Sequence, residues 1–290
     1  MPNMLLLHGG VGSDKSKLEY LNSKLNDYAK VGSASASPLE NVVNAVVKME
    51  DDEDFNAGTG SVMRIDGSIQ MDAAVMIPGD FGSVIAIERV KNPILVARDV
   101  LEKSPHIMLA SDGAVKFART LGYEEYDPST GKARSRLEKV LAELRSENAG
   151  ISSNVAHFKK FVNSTQFVEG SCDTVGAVAR MDGKFAAAVS TGGSSPMMRG
   201  RVGDSPVLGA GIYCGPKGAV VATGIGEEIA KNILCYRTYA KIGSKPLKEI
   251  LKEEVDSFGQ TLIGLIAVDK DDYAHYDNGS MAVGTNNLEQ

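Results

Sequence analysis

Residues 170–193 read GSCDTVGAVARMDGKFAAAVSTGG. Two apolar runs, 174–181 and 184–191, flank Asp182-Gly183, a pair that favours a type I′ turn and so a tight β-hairpin. TVGAVA is nearly continuous in small apolar side chains. Its strand is expected to be buried on both faces rather than half solvated. The same quality recurs in GAVVATG at 218–224 and GLIAV at 264–268. Antiparallel strands covered on both sides need layers outside them. The expected class is therefore α+β, with two central sheets flanked by helices in a four-layer α-β-β-α sandwich and a single domain over 1–290.

The covering helices announce themselves. Ser37-Pro38 supplies a cap and a first-turn proline ahead of LENVVNAVVKME, and Asn92-Pro93 does the same for ILVARDVLEKS. Asp112 is placed to cap GAVKFARTLG, whose Gly122 suits a helix C-terminus. In SRLEKVLAELRSE at 135–147 the apolar positions Leu137, Val140, Leu141 and Leu144 follow helical spacing. GEEIAKNILCYRTYAKIG at 226–243 and PLKEILKEEVDSFG at 246–259 read as one helix each. A second hairpin is expected at SVMRI, Asp66-Gly67, SIQMDAAVMI, and further strands in 213–224 and 261–276. Residues 148–173 carry no clear period and read as a linker that delivers the chain to Thr174.

Composition narrows the function classes. Hydrophobic content is 43% and charged content 23%, ordinary for a globular protein. The net charge of −6 argues against nucleic acid as a partner. LIGLIAV at 262–268 is far shorter than the roughly 20 residues that span a bilayer, so no membrane is expected. The start, MPNMLLLHGG, has no basic region and too short an apolar run for a secretory leader; it reads as a buried strand. Cys172, Cys214 and Cys235 are too few for a disulfide framework and suit a reducing, cytoplasmic setting, as small core residues. No CxxC, HExxH, GxSxG or P-loop pattern occurs, and His8, His106, His157 and His275 lack ligand spacing. GTGSVM at 58–63 lacks the third glycine of a dinucleotide fingerprint, whereas GIGEEI at 224–229 lies between a strand and a helix, where backbone N–H groups suit an anion.

Thr174 remains. A threonine hydroxyl needs an adjacent base to act as a nucleophile at neutral pH. Cleavage between Asp173 and Thr174 would give Thr174 a free α-amine of pKa about 7.7–8.0, partly neutral at pH 7 and on the same residue as the hydroxyl. β-branched residues are also common where strands begin. Pattern alone leaves both readings open.

A series of ordered blocks adds to this. HGGVG at 8–12, FNAGTGS at 55–61, DAAVM from 72, NPILVAR at 92–98, DTVGAVA at 173–179, STGG at 190–193, GRVGDSP at 200–206 and ATGIGEE at 222–228 resemble, in the same order, the plant-type asparaginase/isoaspartyl peptidase family of N-terminal-nucleophile hydrolases. The resemblance covers most of the chain. It implies self-cleavage before Thr174 into 1–173 and 174–290, which stay together in one sandwich, and a homodimer of such units. It implies Thr174 as nucleophile, Thr191 as its hydroxyl partner, and Thr223 with Gly224 as the oxyanion hole. Arg201 and Asp204 match a clamp for a free amino-acid end, the guanidinium on an α-carboxylate and the carboxylate on an α-ammonium. Gly226 matches a position near the α-amine. Asparagine and β-aspartyl dipeptides carry both free groups beside a side-chain amide; ordinary peptides do not. The expected activity is hydrolysis of that amide to L-aspartate, with no cofactor in the chemistry.

FNAGTGS follows the acidic run MEDDED at 49–54. In the family this loop wraps a structural sodium ion near an asparagine matching Asn56. The carried-over positions are Met49, Glu50, Asp52, Phe55, Ala57 and Thr59. Departures from the family pattern are Asp173, where most relatives have glycine and glycosylasparaginases have aspartate, Ile225, where threonine is frequent, and the short linker. The runners-up are a glycosylasparaginase-like hydrolase and an uncleaved, inactive ligand-binding relative. STGG rather than STNG favours the asparaginase/isoaspartyl side, and Asp204 speaks against a Taspase-like protease.

Overall fold

In a computed structural model, which describes residues 3–145 and 174–288, the hairpin of the opening stretch lies near the centre of the larger sheet. Its strands are β5 (Val175–Met181) and β6 (Lys184–Thr191). Asp182 and Gly183 both have positive φ, 49° and 75°, as a type I′ turn requires. The expected linker over 148–173, with Cys172, His157 and Asp173, lies outside the described residues.

Among the described residues the larger sheet has seven strands, in the order β11-β1-β5-β6-β2-β3-β4. The others are β1 (Asn3–Val11), β2 (Met71–Ile77), β3 (Asp80–Ile87), β4 (Met108–Ala110) and β11 (Met281–Leu288). All neighbours are antiparallel except β3 and β4. The smaller sheet, β10-β9-β8-β7, is antiparallel throughout and comprises β7 (Ile212–Gly215), β8 (Gly218–Gly224), β9 (Ile263–Asp269) and β10 (Tyr273–Asp277).

Side-chain alternation gives the central strands two buried faces. Val175, Ala177 and Ala179 of β5 join a core with helices α1 (Leu18–Gly32), α2 (Pro38–Glu50), α3 (Pro93–Lys103) and α4 (Ser111–Thr120). Val178 of β5 meets Val221 of β8 and Ile266 of β9 in a core between the sheets. Val220, Ala222 and Leu265 pack under α7 (Leu234–Lys241) and α8 (Leu247–Asp256) in a third. Three cores between four layers make the α-β-β-α sandwich.

Local expectations fare unevenly. Ser37 Oγ accepts from Glu40 N, so α2 is capped as expected. Asn92 stands at the N-cap position of α3, as expected, but makes no side-chain cap bond: its amide donates to Asp51 Oδ1, and Glu50 Oε1 accepts from Ile94 N at 3.0 Å instead. Asp112 sits in the first turn of α4, not before it, and helix α5 (Gly131–Arg145) begins ahead of residue 135. The hairpin expected at Asp66-Gly67 does not form. Arg64 to Gly67 close a turn outside the sheet, Asp66 keeps negative φ, and β2 pairs with β3 across Pro78-Gly79. The helix expected over 226–243 breaks at Ile233, whose left-handed φ of 47° separates α6 (Gly226–Lys231) from α7.

Candidate active site

The hairpin register pairs Val175 with Ser190. It therefore sets Thr174, the residue before β5, against Thr191, the last residue of β6. Both are buried, and Thr174 Oγ1 donates to Thr191 Oγ1 at 3.3 Å. Thr191 Oγ1 also accepts from Gly193 N at 2.9 Å. A pocket opens above this pair, lined by Thr174, Thr191, Gly193, Ser194, Arg201, Asp204, Ser205 and Gly224. Five of the residues singled out in the sequence thus line one cavity.

Asp204 carries the sharpest electrostatic signature there. It is 4% exposed, and its Oδ2 has no hydrogen-bond partner among the described residues. Burial pushes its carboxyl up to about 7, against the pull of Arg201 and with the added push of Glu227 and Asp72. A buried carboxyl with one oxygen unpartnered is costly in its charged form and is relieved by a cationic ligand. Its loop is pinned, since Asp204 O accepts from Val207 N and Gly211 N.

Arg201 stands beside it. Its Nε and Nη2 each donate at 2.9 Å to the two oxygens of Glu227, a bidentate ion pair. Gly226 lies between Arg201 and Asp204. A Cβ there would come within 2.7 Å of Asp204 Oδ1 and 3.0 Å of Arg201 Nη2, so any side chain at 226 intrudes on the space where both groups meet.

Thr223 is the penultimate residue of β8 and is fully buried. Its Oγ1 accepts from Val11 N at 3.3 Å, which leaves the hydroxyl hydrogen to be donated elsewhere. Gly224 follows it at the pocket wall.

The carried-over cation loop is tied to this site through Asn56. Its Nδ2 donates to Gly193 O at 2.5 Å, its Oδ1 accepts from Val62 N, and its carbonyl accepts from Gly192 N. The side chains of the 49–59 loop are largely engaged elsewhere, with Glu50 Oε2 alone among them buried without a partner among the described residues. Asp52 binds Lys24 and Tyr28, Thr59 meets Tyr126, and Glu50 accepts from Ser190 Oγ at 2.7 Å as well as from Ile94 N. Among the described residues no cluster of His, Cys, Asp and Glu suits a metal ion. The backbone oxygens differ. Asp52 O, Phe55 O and Ala57 O each accept one N–H from the loop, and a carbonyl has a second lone pair, whereas Met49 O already accepts from both Asp51 N and Asp52 N. Neutral oxygens of this kind fit a hard cation of low charge.

Three participants, His8, Asp72 and Glu227, escaped the sequence reading, and Glu50, expected at the cation loop, takes a further part. His8 is fully buried against the backbone of Thr174. Burial, only partly offset by that backbone, pushes its imidazole down to about 3, so it stays neutral. Glu50 bridges α2, α3 and Ser190, and burial pushes its carboxyl up to about 8. Asp72 is buried beneath Arg64 and Arg201, directly across the sheet from Thr191. Glu227 pairs with Arg201. Only Glu227 left a signal, as the first acid after TGIG at a strand-to-helix junction.

Residues 1–287 match the model of a protein family, Asparaginase_2, described as asparaginase. The chain is 36% identical over 278 residues to the plant-type L-asparaginase of Pyrococcus furiosus, covering 91% of this chain and 89% of that one. It is 37% identical over 286 residues to the isoaspartyl peptidase/L-asparaginase of Danio rerio, covering 92% and 86%. With the human isoaspartyl peptidase/L-asparaginase it shares 38% over 244 residues, covering 80% and 74%. A match along nearly the whole chain, over a sandwich whose central hairpin sets two threonines face to face, means that this protein belongs to the asparaginase family.

Proposed function

We propose that the protein hydrolyses the side-chain amide of L-asparagine and the β-aspartyl bond of isoaspartyl dipeptides, releasing L-aspartate. The observation that carries this reading is one pocket in which the Thr174–Thr191 hydroxyl pair faces the Arg201 guanidinium and a buried Asp204 carboxyl whose Oδ2 has no partner among the described residues. Asp204 calls for an ammonium and Arg201 for a carboxylate. A free amino-acid end supplies both, and its side-chain amide then meets Thr174.

In this reading the chain first cleaves itself between Asp173 and Thr174, giving Thr174 an α-amine. The amine accepts the proton of the Thr174 hydroxyl as Oγ1 bonds to the amide carbon. The negative charge that develops on the carbonyl oxygen is met by the Thr223 hydroxyl and the Gly224 N–H. The C–N bond then breaks, the proton passes to the leaving nitrogen, and ammonia or an amino acid departs. Water adds to the ester, and the Oγ1–C bond breaks to release aspartate and restore the hydroxyl. Thr191, fixed by Gly193 N, orients Thr174 Oγ1. No cofactor takes part in these steps.

A structural sodium ion held by the carbonyls of the 49–59 loop belongs to the same reading. Its role is to stiffen the loop that carries Asn56 to Gly193. Pairing of two cleaved units is supported by an exposed apolar patch of Leu208, Ile233 and Tyr236, brought together by the bond from Tyr236 N to Gly209 O. A cytoplasmic location is supported by buried free thiols at Cys214 and Cys235. Among the described residues no helix is long and apolar enough to cross a membrane.

The test is release of ammonia from asparagine, and of both amino acids from a β-aspartyl dipeptide, with an α-linked aspartyl dipeptide as control. Hydrolysis of the first two and not of the control is expected. Equal cleavage of the α-linked peptide would remove the clamp from the explanation.

A further inference from the structure

We infer that Glu227 is a positioning residue for substrate selection: it holds the Arg201 guanidinium in the orientation that receives the α-carboxylate. This deepens the amidohydrolase reading and rests on it.

Arg201 projects from a stretch, 192–211, without helix or strand among its described residues. A long, flexible side chain on such a segment loses considerable rotamer freedom when it must hold one pose. Glu227 supplies an anchor on regular structure. It lies in the first turn of α6, next to Gly226, where a negative charge is favoured by the helix end. The two parallel bonds of 2.9 Å fix the plane of the guanidinium as well as its position. Burial disfavours the charge on Glu227, yet its bonds to Arg201 hold its carboxyl below the usual range.

The guanidinium stands between an outer anchor and the pocket. Glu227 takes the Nε and Nη2 edge from the solvent side, its own side chain 54% exposed against 17% for Arg201. Inward, Arg201 reaches the pocket beside Asp204 and Gly226. A substrate α-carboxylate in that pocket therefore meets a guanidinium whose plane Glu227 has set. Around the clamp the charged groups are Arg64, Arg201, Asp72, Asp204 and Glu227. With Asp204 ionised they sum to −1, a balance suited to a ligand that carries both signs.

The experiment compares the parent protein with E227Q and E228Q. Glu228 is the neighbouring acid, paired with Lys231 at 2.8 Å on the outer face of the same helix, and controls for loss of a charge at the helix start. Asparagine hydrolysis is measured alone and with two competing fragments of the product: succinate, which keeps the α-carboxylate position without the amine, and β-alanine, the reverse. Each variant is checked for cleavage before Thr174 by mass. The expectation for E227Q is a KM for asparagine raised about tenfold with kcat within about twofold. Inhibition by succinate should weaken by a similar factor and inhibition by β-alanine should be unchanged. E228Q should match the parent. A general loss of structure would weaken both inhibitors alike and overturn the inference, as would an unchanged or lower KM in E227Q, which would make Glu227 a competitor for Arg201. A parent protein that hydrolyses neither asparagine nor a β-aspartyl dipeptide would instead overturn the underlying reading, and this inference with it.

Discussion

Asp204→Asn separates what the clamp does for binding from what it costs the fold. The substitution keeps the shape of a side chain that is 4% exposed and removes its ability to ionise. An ordinary aspartate titrates near 3.9, whereas burial pushes Asp204 up to about 7. The folded value lies above the unfolded one, so the stability linked to this group is complete below about pH 4 and is lost as the pH rises through 7. Between the two values the loss is about 1.4 kcal/mol per pH unit, and by pH 8 it sums to about 4 kcal/mol. Asparagine at 204 suffers none of it. D204N should therefore melt above the parent at pH 8, by roughly 5–15 °C for a domain of this size, and converge with it near pH 4. The same variant cannot pair with an α-ammonium, so kcat/KM for asparagine should fall at least about 100-fold. Thermal melts at the two pH values with an ammonia-release assay read both effects. D204N melting at or below the parent at pH 8 would refute the reasoning, because Asp204 would then be ionised and satisfied without substrate. In the parent, kcat/KM should fall about tenfold per unit just below pH 8, where the Thr174 amine protonates, and steepen towards about a hundredfold per unit below 7, since the clamp binds only as the carboxylate.

Three further outcomes follow from the same geometry. Thr223→Val removes a hydroxyl oriented by Val11 N and should cost 10²–10³ in kcat, about 2.7–4 kcal/mol, with KM little changed in a pre-steady-state and steady-state comparison. Gly226→Ala places a methyl between Asp204 and Arg201 and should raise KM for asparagine more than tenfold while a melt shows little change. Replacing sodium by a large organic cation should lower the melting temperature by a few degrees, and restoring sodium should reverse it; indifference to sodium would remove the ion from the 49–59 loop.

Much of the fold was legible where local chemistry decides it. The hairpin over 174–191 forms because Asp182-Gly183 accepts left-handed φ and the flanking runs are apolar on both faces. Its register then places Thr174 opposite Thr191, which is how a sequence motif becomes a hydroxyl pair. The helix begun by Ser37-Pro38 was readable for the same reason. Distance along the chain hid the rest. Nothing near Asn3 announces that β1 pairs with β11 at Leu288. Nothing in NPILVAR tells that Ile94 N finds its acceptor on Glu50 rather than Asn92. Asp66-Gly67 carries the same turn chemistry as Asp182-Gly183, yet β2 takes its neighbours from β3 and β6, and the sheet overrides the local preference. In the site the block GRVGDSP located Arg201 and Asp204, but the ion pair with Glu227 joins residues 26 apart and exists only after the loop folds against α6. The buried acids at 50 and 72 look like solvated charges in the sequence; only burial turns them into supports of the strand that carries Thr191.

The central claim is that Thr174 acts with its own freed amine. The intact mass of the purified protein at neutral pH, read beside its rate of ammonia release from asparagine, tests it most directly. The expected result is two fragments, 1–173 and 174–290, with activity rising as they accumulate, and a T174A variant that stays whole and inactive. A chain that remains at 30.7 kDa and still hydrolyses asparagine at full rate would contradict it.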